Sequence, residues 1–212
     1  MRALLVADYS FGQRTVQRGA PLKFRHLFSS SLLSVLLLGA CSPQDASQPA
    51  AVGRQEIAIP TVVAQAKGFT VGALMSANVV YVFFDTQCPH CGRLWEASTA
   101  LQNKVKFVWI PVRMGSPISV AQGAALLTAA DPAALMREHE ASLLAGKGGI
   151  SASSSIAPEI EKSIAANSQL LTSFGAEGVP FVVAKNIKTG QTVSREGAMD
   201  TPALAQFIGL DL

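Results

Sequence analysis

The sequence predicts an α/β fold, one mixed sheet with helices on both faces. Three observations predict it. Residues 79–84, VVYVFF, are consecutive apolar positions rich in β-branched and aromatic types, which suits a central strand buried on both sides. Helix and strand patterns alternate after it. The chain then closes on two strand patterns joined by a turn, followed by a last helix.

Each element has its own signal. Residues 60–67, PTVVAQAK, read as a short helix closed by Gly68, within a linker at 57–67. The core domain is expected from Gly68 to the end, 68–212. After the central strand, residues 89–102 place Cys91, Leu94, Trp95, Ser98 and Leu101 on one helical face. Residues 105–112 form a second strand, with Val105, Phe107 and Trp109 alternating against Lys106. A helical insertion follows at about 115–175, between the second and third core strands. It holds an Ala- and Leu-rich helix at 119–130, then one begun by Asp131-Pro132, an Asp cap followed by Pro at the first helical position. That helix carries Leu135, Met136, His139 and Leu143 and stops near Gly146. Ile156, Ile160, Ile164, Leu171 and Phe174 then recur at helical spacing up to Gly175, a stripe that reads as core packing and not as a cofactor box. Residues 181–184 and 191–195 make a hairpin around Gly190, and Thr201-Pro202 opens the last helix.

The front of the chain is different. Residues 27–38, LFSSSLLSVLLL, carry no charge and follow Arg14, Arg18, Lys23, Arg25 and His26. A basic flank, a short apolar segment and then small residues read as an export signal at 1–40. A segment of a dozen residues falls short of the roughly 20 apolar ones that a spanning helix needs. The basic flank is long for a signal, and the next methionine, Met75, comes far too late for an alternative start. The segment ends in Leu38-Gly39-Ala40-Cys41, which resembles the lipobox of bacterial lipoproteins, so Cys41 is the lipidation candidate and a membrane anchor is expected. Ser42 after it leans towards the outer membrane. Residues 41–56, rich in Ser, Pro, Gln and Ala, read as a flexible tether reaching roughly 20 Å.

Of the 17 basic and 14 acidic residues, five basic and one acidic lie in 1–40, leaving 12 against 13, a net of −1. The basicity therefore belongs to the signal. No basic stripe with interleaved aromatics remains, and nucleic acid is not an expected partner.

The chain has three cysteines, an odd number for an exported protein. With Cys41 lipidated, one pair remains, Cys88 and Cys91, in an oxidising compartment. A structural zinc site needs four ligands, and no second pair exists. A soft-metal site from Cys88, Cys91 and the distant His139 is a weak alternative. A structural bridge over so small a loop removes little chain entropy. The redox reading has a reason at each position. With Cys88 as helix cap, Pro89 is the first helical residue and lacks an N–H the helix would leave unpaired. The N–H groups of His90 and Cys91 point back at the Cys88 sulfur, and the helix dipole favours a thiolate there. Cys88 is then the attacking thiol and Cys91 the more buried resolving thiol. A charged His90 would lower the Cys88 pKa further, so an oxidising couple is expected.

The stretches VYVFFDTQCPHCGRLW, VKFVWIPVRMGSP, ADPAALMREHEAS and GVPFVV together resemble the thioredoxin-fold bacterial periplasmic disulfide isomerases of the DsbC and DsbG type, DsbG more than DsbC. The resemblance runs from about residue 68 to the end. It implies a thioredoxin-like fold and disulfide exchange through Cys88 and Cys91 with cysteine-containing periplasmic proteins. It also implies a membrane thiol–disulfide reductase or oxidase as redox partner, no cofactor, and a substrate-facing cis proline at Pro180, preceded by Val179. Two features depart from that family. The stretch between Cys41 and Gly68 leaves no room for its N-terminal dimerisation domain, so a monomer is expected. The Pro89-His90 dipeptide and the Val179 before Pro180 resemble the strong oxidant DsbA instead. A related activity would reduce sulfenic acids with the same thiols. From other classes, a non-enzymatic folding chaperone and a copper-binding thioredoxin-like protein are the alternatives.

Overall fold

The computed structural model describes residues 55–212. The expected signal at 1–40, the lipidation candidate Cys41 and residues 41–54 of the expected tether lie outside them. The described chain runs α1 (Ile59–Gln65), β1 (Phe69–Gly72), β2 (Val79–Phe84), α2 (Pro89–Thr99), β3 (Lys106–Pro111), α3 (Pro117–Thr128), α4 (Pro132–Leu144), α5 (Pro158–Ser173), β4 (Phe181–Lys185), β5 (Thr192–Glu196) and α6 (Thr201–Ile208). Among the described residues no helix is long and apolar enough to cross a membrane.

The strands form one mixed sheet in the order β1-β3-β2-β4-β5. β2 is central, parallel to β3 and antiparallel to β4. Its continuous apolar sequence is explained by helices on both faces. Val80, Val82 and Phe84 point into one core with Leu94 and Trp95 of α2, Met136 of α4 and Leu204 and Ile208 of α6. Phe83 points the other way, into a second core with Val62 of α1 and Leu170, Leu171 and Phe174 around the end of α5. The Ile/Leu stripe of the insertion is core packing, with Ile164 and Leu171 buried.

Helix starts follow their caps. The Asp131 side chain accepts from Ala134 N–H and that of Asp200 from Ala203 N–H. Gly146 and Gly175 lie just past the ends of α4 and α5 with positive φ.

Three details differ from the sequence reading. The strand β1 was not expected. It pairs antiparallel with β3, Phe69 opposite Trp109, and its four residues are too few to show an alternation. α2 ends at Thr99, and tighter turns carry the chain on, with Leu101 N–H donating to the Ser98 carbonyl; Leu101 is buried all the same. α1, expected within a linker, is packed on the domain. Val62 is buried in the second core, Gln55 N–H donates to the Ser173 carbonyl, and Asn167 of α5 binds both Lys67 N–H and its carbonyl.

Candidate active site

The two cysteines sit where β2 delivers the chain to α2. Cys88 is the N-cap of α2 and Pro89 its first residue. Packing fixes this junction. Trp95, two turns along α2 from Cys88, meets Trp109 of β3 edge-on with ring centroids 5.2 Å apart, and Phe84 meets the same ring at 5.4 Å. Cys88 is partly exposed, Cys91 is buried, and both are free thiols. Pro89 and His90 are exposed at the surface of the first turn.

The Cys88 thiol donates to the Val179 carbonyl at 3.5 Å. Val179 and Pro180 are joined by a cis peptide bond just before β4. Three of the residues singled out in the sequence, Cys88, Cys91 and Val179, thus share one site, with Pro180 buried beside it.

The Cys88 pKa is lowered from the ordinary thiol range to about 6. The largest cause is the hydrogen bond from the Cys91 side chain; burial opposes it, and the N–H groups of Cys91 and His90 add to it. No cap bond of strict geometry reaches the sulfur, so the helix N–H groups act as oriented dipoles. The charge of His90 is the smallest cause. Arg93 Nη2 donates to His90 Nδ1 at 2.5 Å. The Cys91 thiol moves the other way, well above the ordinary range, through burial first and then through its hydrogen bond to Cys88 and the Cys88 charge. One thiol is thus prepared to attack and the other keeps its proton.

Sequence reasoning missed the groups that hold the loop. Asp85, buried at the end of β2, accepts from Gln87 N–H at 2.8 Å, from the Ser119 hydroxyl at 2.6 Å and from Met114 N–H at 2.7 Å. Gln87 in turn donates to Gln122 Oε1 at 2.6 Å and to the Gly148 carbonyl at 3.0 Å. The helical insertion therefore grips the cysteine loop from behind. The available signal was an Asp closing an otherwise apolar strand. His139 is buried, with Nε2 donating to the Thr86 carbonyl at 2.8 Å and Nδ1 accepting from Ile150 N–H at 3.2 Å. Both ring nitrogens are engaged, which leaves none for a metal with Cys88 and Cys91. Among the described residues no three His, Cys, Asp or Glu side chains are grouped to hold a metal ion.

No protein-family profile matches the chain. The thiol:disulfide interchange protein DsbG of Pseudomonas aeruginosa is 31% identical over 141 residues, 65% of this chain and 54% of that protein. DsbG of Escherichia coli is 31% identical over 106 residues, 49% of this chain and 42% of that protein. Over these stretches the chain is similar to DsbG. The chain spans about half the length of these curated relatives. Solved structures show the fold to be thioredoxin-like, as the sequence predicted. The catalytic domain of Proteus mirabilis ScsC matches with a TM-score of 0.56 at 19% identity, covering 70% of this chain and 95% of that one. The disulfide exchange protein α-DsbA2 of Wolbachia pipientis matches with a TM-score of 0.53 at 20% identity, covering 71% of this chain and 91% of that one. The DsbG-like domain shares with these proteins a sheet flanked by helices; the assignment of its site rests on its own geometry.

Proposed function

We propose that this DsbG-like chain is an exported thiol–disulfide oxidoreductase acting on cysteines of periplasmic proteins. The observation that supports it best is the division of roles in the pair: a partly exposed thiol with a pKa of about 6 at a helix start, backed by a buried thiol that keeps its proton. Taken in the oxidising direction, a substrate thiolate attacks the Cys88–Cys91 disulfide at Cys88 and Cys91 leaves. A second substrate thiolate then displaces Cys88. In the reducing direction the Cys88 thiolate attacks a substrate disulfide, and Cys91 attacks Cys88 in the mixed disulfide, releasing the substrate thiolate. The reaction is complete in the two thiols and needs no cofactor. The contact of Cys88 with the Val179 carbonyl supports a reading in which an extended substrate segment pairs beside the sulfur along Val179 and Pro180.

The net direction follows from the redox partner, a membrane thiol–disulfide reductase or oxidase. Periplasmic location, anchoring through a lipid on Cys41 and a monomeric state complete the reading.

The test is trapping. The Cys91→Ser chain, exposed to periplasmic extract, should accumulate adducts that a reductant releases, and Cys88→Ser should accumulate none. The reverse pattern would exchange the two roles. A folding-assistance activity that survives loss of both thiols would favour the chaperone, and stoichiometric copper binding by the reduced pair would favour the metal carrier.

A further inference from the structure

Helix α4 carries a carboxyl group that the fold leaves without a partner. Glu140 is 1% exposed, and neither of its side-chain oxygens has a hydrogen-bond partner. Buried carboxyl groups are ordinarily paired, as Asp85 is here with three donors. The position of Glu140 is equally specific. Gly92 directly follows Cys91, and a Cβ added there would stand 2.6 Å from Glu140 Oε2. The missing side chain makes room for the carboxyl group over the first turn of α2, beside the buried thiol.

The charged surroundings are few. From α2, Cys88, Cys91 and Glu96 act on it electrostatically. Of the other elements, those packed most closely on α4, α3 and β1, carry no titratable side chain. On α4 itself the neighbouring His139 is occupied by Thr86 and Ile150.

We infer that Glu140 is the proton acceptor for Cys91 during resolution of the mixed disulfide, an inference that rests on the exchange reading above. The step balances as follows. The Cys91 S–H bond breaks and its proton passes to the Glu140 carboxylate. The Cys91 sulfur bonds to Cys88, the bond from Cys88 to the substrate sulfur breaks, and the substrate leaves as thiolate with that electron pair. Oxidation of the pair equals reduction of the substrate disulfide. In the reverse direction Glu140 returns the proton to Cys91 as it leaves.

The electrostatics fit this timing. The carboxyl is pushed up to about 8, by burial first, then by the negative charge at Cys88 and at Glu96. While Cys88 is a free thiolate, Glu140 holds a proton. Once Cys88 is bonded to a substrate sulfur that charge is gone, and Glu140 ionises more readily, when Cys91 has a proton to lose.

The experiment uses the full reduced chain and oxidised glutathione, with stopped-flow and quenched samples separating formation of the Cys88–glutathione disulfide from its resolution. Glu140→Gln should form the mixed disulfide at the wild-type rate and resolve it at least tenfold more slowly at pH 7, with the pH inflection of the wild-type resolution step lost. A folded Glu140→Gln chain that resolves at the wild-type rate with the same pH profile overturns the inference. A second measurement needs no variant. The Glu140 carboxyl carbon is titrated by NMR in the reduced chain and in the chain alkylated at Cys88. Its midpoint should fall on alkylation, and an unchanged midpoint overturns the inference. Wild-type chain that forms no Cys88–glutathione disulfide at all would instead sink the exchange reading, and this inference with it.

Discussion

The Cys88 pKa gives the sharpest test of how the site is tuned. The perturbation is removal of one neighbour at a time, His90→Ala against Cys91→Ala. Lowering the thiol from 9.0 to about 6 corresponds to about 4 kcal/mol of thiolate stabilisation at 1.36 kcal/mol per unit, an upper limit because solvent screens a half-buried sulfur. The Cys91 hydrogen bond is the largest cause and the His90 charge the smallest. Cys91→Ala should therefore raise the Cys88 pKa by more than a unit, and His90→Ala by less than half a unit. Thiolate absorbance against pH reads both. The same pKa sets part of the redox couple. At pH 7 the reduced form gains about 1.4 kcal/mol over one with an unperturbed thiol, equal to about 30 mV. Against a thioredoxin thiol near 7, this contribution to the potential is about 20 mV in the oxidising direction. Stabilisation of the thiolate by the helix start and His90 leads the sequence reading to expect a potential nearer the roughly −120 mV of DsbA than the roughly −270 mV of thioredoxin, and the glutathione equilibrium measures it. The pH dependence has a fixed sign. Below the Cys88 pKa the two thiols take up two protons on reduction and their share of the slope is about 59 mV per unit; above it Cys91 alone takes one and that share halves to about 30 mV, with proton uptake by Glu140 adding to it at higher pH. Equilibration with glutathione across pH 5 to 8 measures it. A break absent near pH 6, or a larger pKa change from His90→Ala than from Cys91→Ala, would refute this account.

Three further outcomes are expected. Asn167→Ala should lower stability by roughly 2–4 kcal/mol in chemical denaturation, because a buried side chain that binds Lys67 N–H, the Lys67 carbonyl and the Pro111 carbonyl is lost and those groups are left unpaired; a change under 1 kcal/mol would mean that α1 is not held this way. Cys41→Ser should move the protein from the membrane fraction to the soluble one, since the described residues contain no spanning helix; unchanged fractionation, or a wild-type N-terminal peptide without lipid, would count against the anchor. Light scattering at micromolar concentration should give a monomer mass for 55–212, and a stable dimer would show that an exposed face of this domain, or α1, forms an interface.

Much of this protein was legible in its sequence because the signals were local. The apolar run at 79–84 suited a strand covered on both faces, and Asp131-Pro132 and Thr201-Pro202 marked helix starts through features that depend on a few adjacent atoms. Cys88 and Cys91 were equally plain, because three positions on one helical turn fix their neighbourhood. What stayed hidden depends on contacts between residues far apart in the chain. β1 exists because β3 offers it an edge. α1 is part of the domain because Asn167, a hundred positions away, closes on Lys67. The ordering of the causes that tune Cys88 could not be read from CPHC, since it turns on distance and burial and not on residue type. Glu140 is the clearest case. In the sequence it is one more charge on a helix. Only the approach of α4 to Gly92 makes it a buried carboxyl group beside the redox pair, because burial and the loss of every hydrogen-bond partner are properties of tertiary packing.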